Sequence, residues 1–366
     1  MIFLTTSGFN TVIASTVSSN DIALLETEKI PRYQPETNSK NNKGITGWSI
    51  YFDNDGLAGN NKDQGYSGGF SLSLTGAGVV ESALSLDPVL GFIDNLFGMS
   101  NNNLAQLSSI EAGLTVFTPD STEVSLPLPN ELPYASLIYM SNNRSQINII
   151  KKSALTTSFT LGFLGLKIAG DLQNSLHDLV GAAPVEGWDN QISAGGELTF
   201  RYSVAKQTIL ASDYNNNYID FELTDTAKLN VGYLTDVLWG LSFRAGQLNS
   251  PWWSFNPELE EYTEKSANAV STSRNNASEF YFWGGLNFRL RAYNAFLEGQ
   301  FRDSVVTYNR DELNRITAEL WIGITKQFSN GFRASYFVRS QTSEIKEGPA
   351  SRNLVWGGII LSQAIN

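Results

Sequence analysis

From Gly47 onward, hydrophobic and polar residues alternate with a period of two, the mark of strands that show one face to an apolar medium and the other to a polar one. In Glu197–Val204, the residues Leu198, Phe200, Tyr202 and Val204 fall on one face and Glu197, Thr199 and Arg201 on the other. Ile219, Phe221 and Leu223 oppose Asp220, Glu222 and Thr224, and Val237, Trp239, Leu241 and Phe243 oppose Ser242 and Arg244. Phe280, Phe282, Leu286, Phe288 and Leu290 stand against Asn287, Arg289 and Arg291, and Ile316, Ala318, Leu320, Ile322 and Ile324 continue the pattern. After a tight Ser329-Asn330-Gly331 turn, Phe332, Ala334, Tyr336 and Val338 alternate with Arg333, Ser335 and Arg339.

The alternation predicts about twelve strands, beginning near residues 46, 66, 109, 133, 153, 194, 217, 233, 279, 315, 331 and 353, an even number as a closed barrel requires. The fold class is therefore all-β, an antiparallel barrel. A soluble sandwich or lipocalin-like barrel would turn the apolar face inward. Strands at or above the roughly 9–11 residues that cross a bilayer, with Arg and Glu on the polar face, favour a transmembrane barrel. Trp252, Trp253, Tyr134, Tyr139 and Trp356 stand near strand ends and are expected to form an interfacial girdle. The polar stretch from Asn249 to Ser278 is expected on the extracellular side, and Leu84 to Met99 predicts a short amphipathic helix within the long connection Gly76 to Ser108.

Composition narrows the class further. Charged residues are only 17%, Gly numbers 31 and aromatics reach 12%, a mixture suited to strands joined by Gly-rich turns. With no Cys there is neither a disulfide nor a Cys-based zinc site. A net charge of −11 excludes a phosphate-neutralising nucleic-acid binder. No stretch reaches the roughly 18 apolar residues of a spanning helix, so any membrane insertion is by barrel. Residues 1–44 are expected to be a leader, a degenerate signal-like segment followed by a polar stretch, and residues 45–366 the barrel.

Two polar groupings carry candidate chemistry. Between the strands near 153 and 194, Leu172, Leu176 and Leu179 recur at helical spacing, and Gln173 and His177 share a face of that helix. His177 is the one histidine in the chain; it is either a general base for hydrolysis near neutral pH or an ordinary surface residue of a loop helix. At the end of the first strand, Asp53-Asn54-Asp55-Gly56 with Asp63 offers hard oxygens that can ligate a cation such as calcium, or simply form a loop tip. Gly65-Tyr66-Ser67-Gly68-Gly69 satisfies the string of a serine-hydrolase elbow, but a strand follows it where the elbow needs a helix.

With Asn54-Asp55, Tyr66-Ser67-x-Gly69, Pro133-Tyr134-Ala135 and Gln173-x-x-x-His177 followed by Gly187-Trp188-Asp189-x-Gln191, the chain resembles the lipid A 3′-O-deacylase family, LpxR, over roughly residues 46–366. The resemblance implies a twelve-stranded barrel in the outer membrane of a Gram-negative bacterium. It implies calcium-dependent removal of the 3′-linked acyloxyacyl chain of lipid A in the outer leaflet, by a monomer whose partner is lipopolysaccharide. By the same resemblance, His177 activates water, Gln173 orients water or substrate, and calcium near Asn54, Asp55 and Ser67 stabilises the oxyanion; Tyr66 and Trp188 are expected to contact substrate. Ser67 stands where the family commonly has Thr. The chain departs from the family in lacking a cation at Pro129-Asn130-Glu131-Leu132, and it has Ala182-Ala183 where an acidic residue is usual. Two other readings stay open: a Ser67–His177 acyl hydrolase acting on phospholipid, and a catalytically silent barrel serving as pore or structural protein.

Overall fold

The computed structural model describes residues 44–59, 65–101, 104–181, 183–214, 219–265 and 277–365. Of the expected leader, therefore, only Gly44 lies within the described residues, and Asp63 lies outside them. Twelve strands follow in chain order: β1 (Gly47–Asn54), β2 (Gly65–Thr75), β3 (Ala105–Thr118), β4 (Ala135–Asn148), β5 (Ser153–Leu164) and β6 (Glu197–Asp213), then β7 (Asp220–Gly232), β8 (Leu234–Gln247), β9 (Glu279–Asn294), β10 (Ile316–Gln327), β11 (Phe332–Gln341) and β12 (Leu354–Ala364). Each pairs antiparallel with its sequence neighbours, and β1 closes on β12 in the register Gly47↔Ala364 to Asn54↔Gly357, so the sheet has no free edge.

The alternation has the polarity of a membrane barrel. On β6, Leu198 and Phe200 are exposed outside while Glu197, Thr199 and Arg201 are buried within. Leu229, Val237, Phe288, Leu290, Leu320 and Ile322 likewise face outward, so a hydrocarbon medium rewards what water would penalise. The aromatic girdle read from the sequence is not where it was expected. Trp252, Trp253, Tyr134, Tyr139 and Trp356 are all buried, and the exposed aromatic belt is instead Phe52, Phe70, Phe163, Phe200, Trp239, Phe282, Phe288 and Tyr336. Position near a strand end does not distinguish a lipid-facing ring from one turned into the lumen.

Strand parity sets which connections share a rim. Those after β1, β3, β5, β7, β9 and β11 lie at the upper rim; those after even strands lie at the lower rim, with Gly47 and Ala364. The expectation of Asn249–Ser278 on the extracellular side, with the His177 loop, is thus corrected: it follows β8 and starts from the opposite rim. Its residues 250–265 do not project outward either. Residues 250–265 are buried inside the barrel, where Glu260 meets Arg339 at 3.0 Å, Glu261 meets Arg201 at 2.9 Å and Arg291 at 3.1 Å, and Glu264 meets Arg201 at 2.9 Å. Wall residues complete the network, Arg291 with Asp236 at 2.6 Å and Arg339 with Glu319 at 2.7 Å. Buried charges demand such pairing: stripping one partner from a buried pair costs about 3–5 kcal/mol. The lumen is thus occupied by residues 250–265.

The helix expected within Leu84–Met99 is present as α1 (Asp87–Leu96) and lies on the outside of the wall. Residues of β4 and β5 paired as Arg144↔Thr157 belong to the outward set, and Arg144 bridges Asp87 at 2.8 Å and Asp94 at 3.1 Å on the helix.

Candidate active site

Three strand ends at the upper rim hold the oxygen-rich grouping. Asn54 closes β1, and its Oδ1 accepts from the Gly56 amide at 2.8 Å, starting a single 3-10 turn over Asp55–Ala58. Its Nδ2 donates to the Ser67 carbonyl at 2.5 Å, tying the end of β1 to the start of β2. A side chain on Gly68, whose φ is +148°, would collide with the Asp53 carbonyl at 2.5 Å, so glycine is what allows the two strands to close around Asn54. Ser67 falls at the irregularity between Tyr66 and Gly68, and its hydroxyl lies 2.5 Å from that of Thr118 at the end of β3. Asp55 is buried, with Oδ1 accepting from the Gly56 amide at 2.9 Å.

One residue back on each strand the side chains face the lumen. Tyr66 donates to Asp53 Oδ1 at 2.8 Å, and Lys265, arriving on the interior loop, donates to Asp53 Oδ2 at 2.5 Å and to the Tyr66 oxygen at 2.6 Å. Tyr66 is thus buried among Phe117, Tyr262 and Trp356, on the opposite face of the wall from Asn54. It buttresses the site from within, contrary to the expectation of a substrate contact.

The predicted histidine helix is α2 (Ile168–Val180), ended by Gly181 in the left-handed conformation. Ala169 packs with Val116, Tyr134, Val185 and Trp188. Gly170 admits the Trp188 ring, since a Cβ there would lie 2.5 Å from it; Gly187 likewise gives way to Tyr134 at 2.2 Å. Asn174 clasps the backbone of Val185 through both amide atoms, at 2.7 and 3.1 Å, and so fixes the segment that returns along the helix. Burial pushes the Tyr134 phenol up to about 12, keeping it neutral. Trp188, expected from the sequence to contact substrate, is buried between Gly170 and Tyr134 and supports α2.

His177 is half-buried, with Nδ1 2.6 Å from the Ala183 carbonyl. A carbonyl only accepts, so Nδ1 carries the proton and Nε2 is the basic nitrogen. Gln173, one turn earlier, is buried. Val116 links the two halves of the site: it sits two residues before Thr118 on β3 and packs against the α2 cluster. The structure therefore places Asn54, Ser67 and the His177 helix at one rim and on one outer wall, across adjoining strands.

Other residues escaped the sequence reading. Thr118 and Lys265 join the site only through register and the path of the interior loop, and Asn174 reads as an ordinary helix residue. Glu131, in the stretch that lacks a cation, meets Arg352 from the connection after β11 at 2.9 Å. Nε and Nη2 of Arg352 are buried without a hydrogen-bond partner among the described residues.

Every candidate donor around Asn54 is oxygen: the Asp55 carboxylate, the Asn54 amide and the Ser67 hydroxyl, with Thr118 beside it. Calcium takes hard oxygen donors, whereas zinc prefers nitrogen or sulfur.

A family model described as outer membrane protein LpxR matches residues 13–365. Among solved structures, LpxR from Salmonella typhimurium aligns with a TM-score of 0.67 at 12% identity, covering 87% of this chain and 100% of that one. The β domain of the Bordetella autotransporter BrkA aligns with a TM-score of 0.41 at 9% identity, covering 88% and 99%. An outer membrane channel from Pseudomonas putida F1 gives 0.40 at 10% identity, covering 88% and 96%. No curated protein sequence matches significantly.

Proposed function

The chain belongs to the LpxR family of outer membrane proteins, and on that premise we propose that it is a calcium-dependent hydrolase that removes the 3′-linked acyloxyacyl chain of lipid A in the outer leaflet. The upper rim then faces lipopolysaccharide. The observation that supports this best is the hydrogen bond from His177 Nδ1 to the Ala183 carbonyl, on a helix docked against the outer wall at the rim where Asn54 and Ser67 end their strands.

In this reading Nε2 of His177 takes a proton from water as the water oxygen attacks the ester carbonyl carbon. The tetrahedral intermediate collapses with cleavage of the bond to the sugar 3′-oxygen. The imidazolium returns its proton to that oxygen, giving a free carboxylic acid and a 3′-hydroxyl. Asn54, Asp55 and Ser67 would hold calcium, which when bound supplies positive charge to the ester oxygen. Gln173 orients water or substrate.

A Ser67 nucleophile fits less well, because its hydroxyl is engaged by Thr118 and not by a histidine. A pore fits less well still, with the lumen filled from Ser250 to Lys265. The decisive experiment is mass spectrometry of lipid A from cells expressing the wild type or His177→Ala. The proposal expects loss of the 3′ acyloxyacyl group with the wild type alone; an unchanged profile in both overturns it.

A further inference from the structure

α1 is amphipathic in the sense opposite to that of a helix in water. Asp87, Leu90 and Asp94 face the wall and are buried, while Phe92, Leu96 and Phe97 on the far side are 70%, 68% and 60% exposed, with Leu84 and Val89 beside them. Buried polar bonds fasten the inner face. Asp94 receives Arg144 at 3.1 Å, Thr157 at 2.9 Å and Tyr202 at 2.9 Å, and Asp87 receives Arg144 at 2.8 Å. Asn142 and Gln146 secure the flanks through Leu86 and Asn101. All these wall residues belong to the outward set of β4, β5 and β6, a polar stripe on a surface that is otherwise apolar. A helix held by such bonds leaves its apolar side free for a medium that is not water.

Two further observations indicate which medium. Phe97 continues the lipid-facing belt, its ring 6.2 Å from Tyr202, and Phe159 stacks on Phe200 on the same strands. Below, the turn joining β4 to β5 carries Ile150, 95% exposed, followed by exposed Lys151 and Lys152. Two adjacent cations beside an exposed aliphatic tip stand out in a chain of net charge −11 and match the anionic headgroup and acyl boundary of a phospholipid.

We propose that α1 and the β4–β5 turn form a binding surface for anionic phospholipid at the lower rim. Phe92, Leu96 and Phe97 seat among acyl chains, and Lys151 and Lys152 hold the headgroup. Placing phospholipid at this rim rests on the orientation adopted above, in which the upper rim faces lipopolysaccharide. The surface is independent of any hydrolysis.

The absence of cysteine makes the test direct. Full-length protein carrying Phe92→Cys, or Cys in place of Glu81, an exposed residue of the connection between β2 and α1 (Glu81→Cys), is labelled with bimane and placed in nanodiscs of phosphatidylethanolamine, with or without phosphatidylglycerol brominated in its acyl chains. Bromine is expected to quench the label at 92 and not at 81, and aqueous iodide to do the reverse. Native mass spectrometry is expected to show phosphatidylglycerol retained by the wild type and lost from the Lys151→Gln, Lys152→Gln double variant. Iodide quenching at 92 equal to that at 81, disulfide cross-linking between two copies of the unlabelled Phe92→Cys variant, or lipid retention unchanged in the double variant would each overturn the proposal. None of these readouts involves lipid A turnover, so an inactive enzyme would leave the result unaffected.

Discussion

Lys265 and Asp53 are 212 positions apart in the chain, yet Nζ and Oδ2 lie 2.5 Å from each other in a buried contact that Tyr66 shares. An interior loop that starts at the lower rim thus reaches the residue next to Asn54 at the upper rim. The outer face of β1 and β2 holds the oxygen cluster; the inner face of the same two strands is held by this contact.

Lys265→Met is expected to leave the Asp53 carboxylate buried without its cation, at a cost of about 3–5 kcal/mol. Thermal unfolding in detergent should register the loss, and lipid A deacylation should fall with it. Lys265→Arg, which keeps the charge, should recover part of both. Full activity in Lys265→Met would show that the loop does not support the site.

His177→Ala should lower turnover by about 10²–10⁴-fold, the usual contribution of a positioned base, with the heat-dependent electrophoretic shift of a folded barrel unchanged. The measurement is single-turnover deacylation in micelles.

Ser67→Ala should retain measurable turnover, and Ser67→Thr should behave close to wild type, since neither removes the base. A calcium chelator should abolish activity in all three, and added calcium should restore it. Loss of all turnover in Ser67→Ala with indifference to chelation would instead identify a serine nucleophile.

Gly170→Val tests the seating of α2. The new side chain would enter the Trp188 ring, and overpacking of this kind costs about 1–3 kcal/mol. Because α2 lies outside the strand ladder, the barrel should fold while the helix is displaced, so activity should fall much more than thermal stability.

Much of the fold was legible because a membrane barrel writes its two solvents into alternate residues: Leu198 and Phe200 face lipid while Thr199 and Arg201 face the lumen. His177 stood out through helical spacing and because it is the one histidine. What periodicity could not convey was where a loop goes. Asn249–Ser278 looked extracellular because it is polar, yet its charges serve Arg201, Arg291 and Arg339 inside the barrel. Trp252 and Trp253 looked interfacial because they stand near a strand end, and they are buried with that loop. Thr118 reaches Ser67 only through the β2–β3 register, 51 positions away, and no local pattern encodes such a distance.

The position of His177 on the outer wall has a kinetic consequence. In the proposed hydrolysis lipid A comes to it sideways along the bilayer, so encounters are counted per unit of membrane area. Mixing lipid A with inert lipid at constant total amount should slow the reaction, whereas diluting the whole suspension of vesicles should not. The proposed reaction belongs in that sense to a two-dimensional solution.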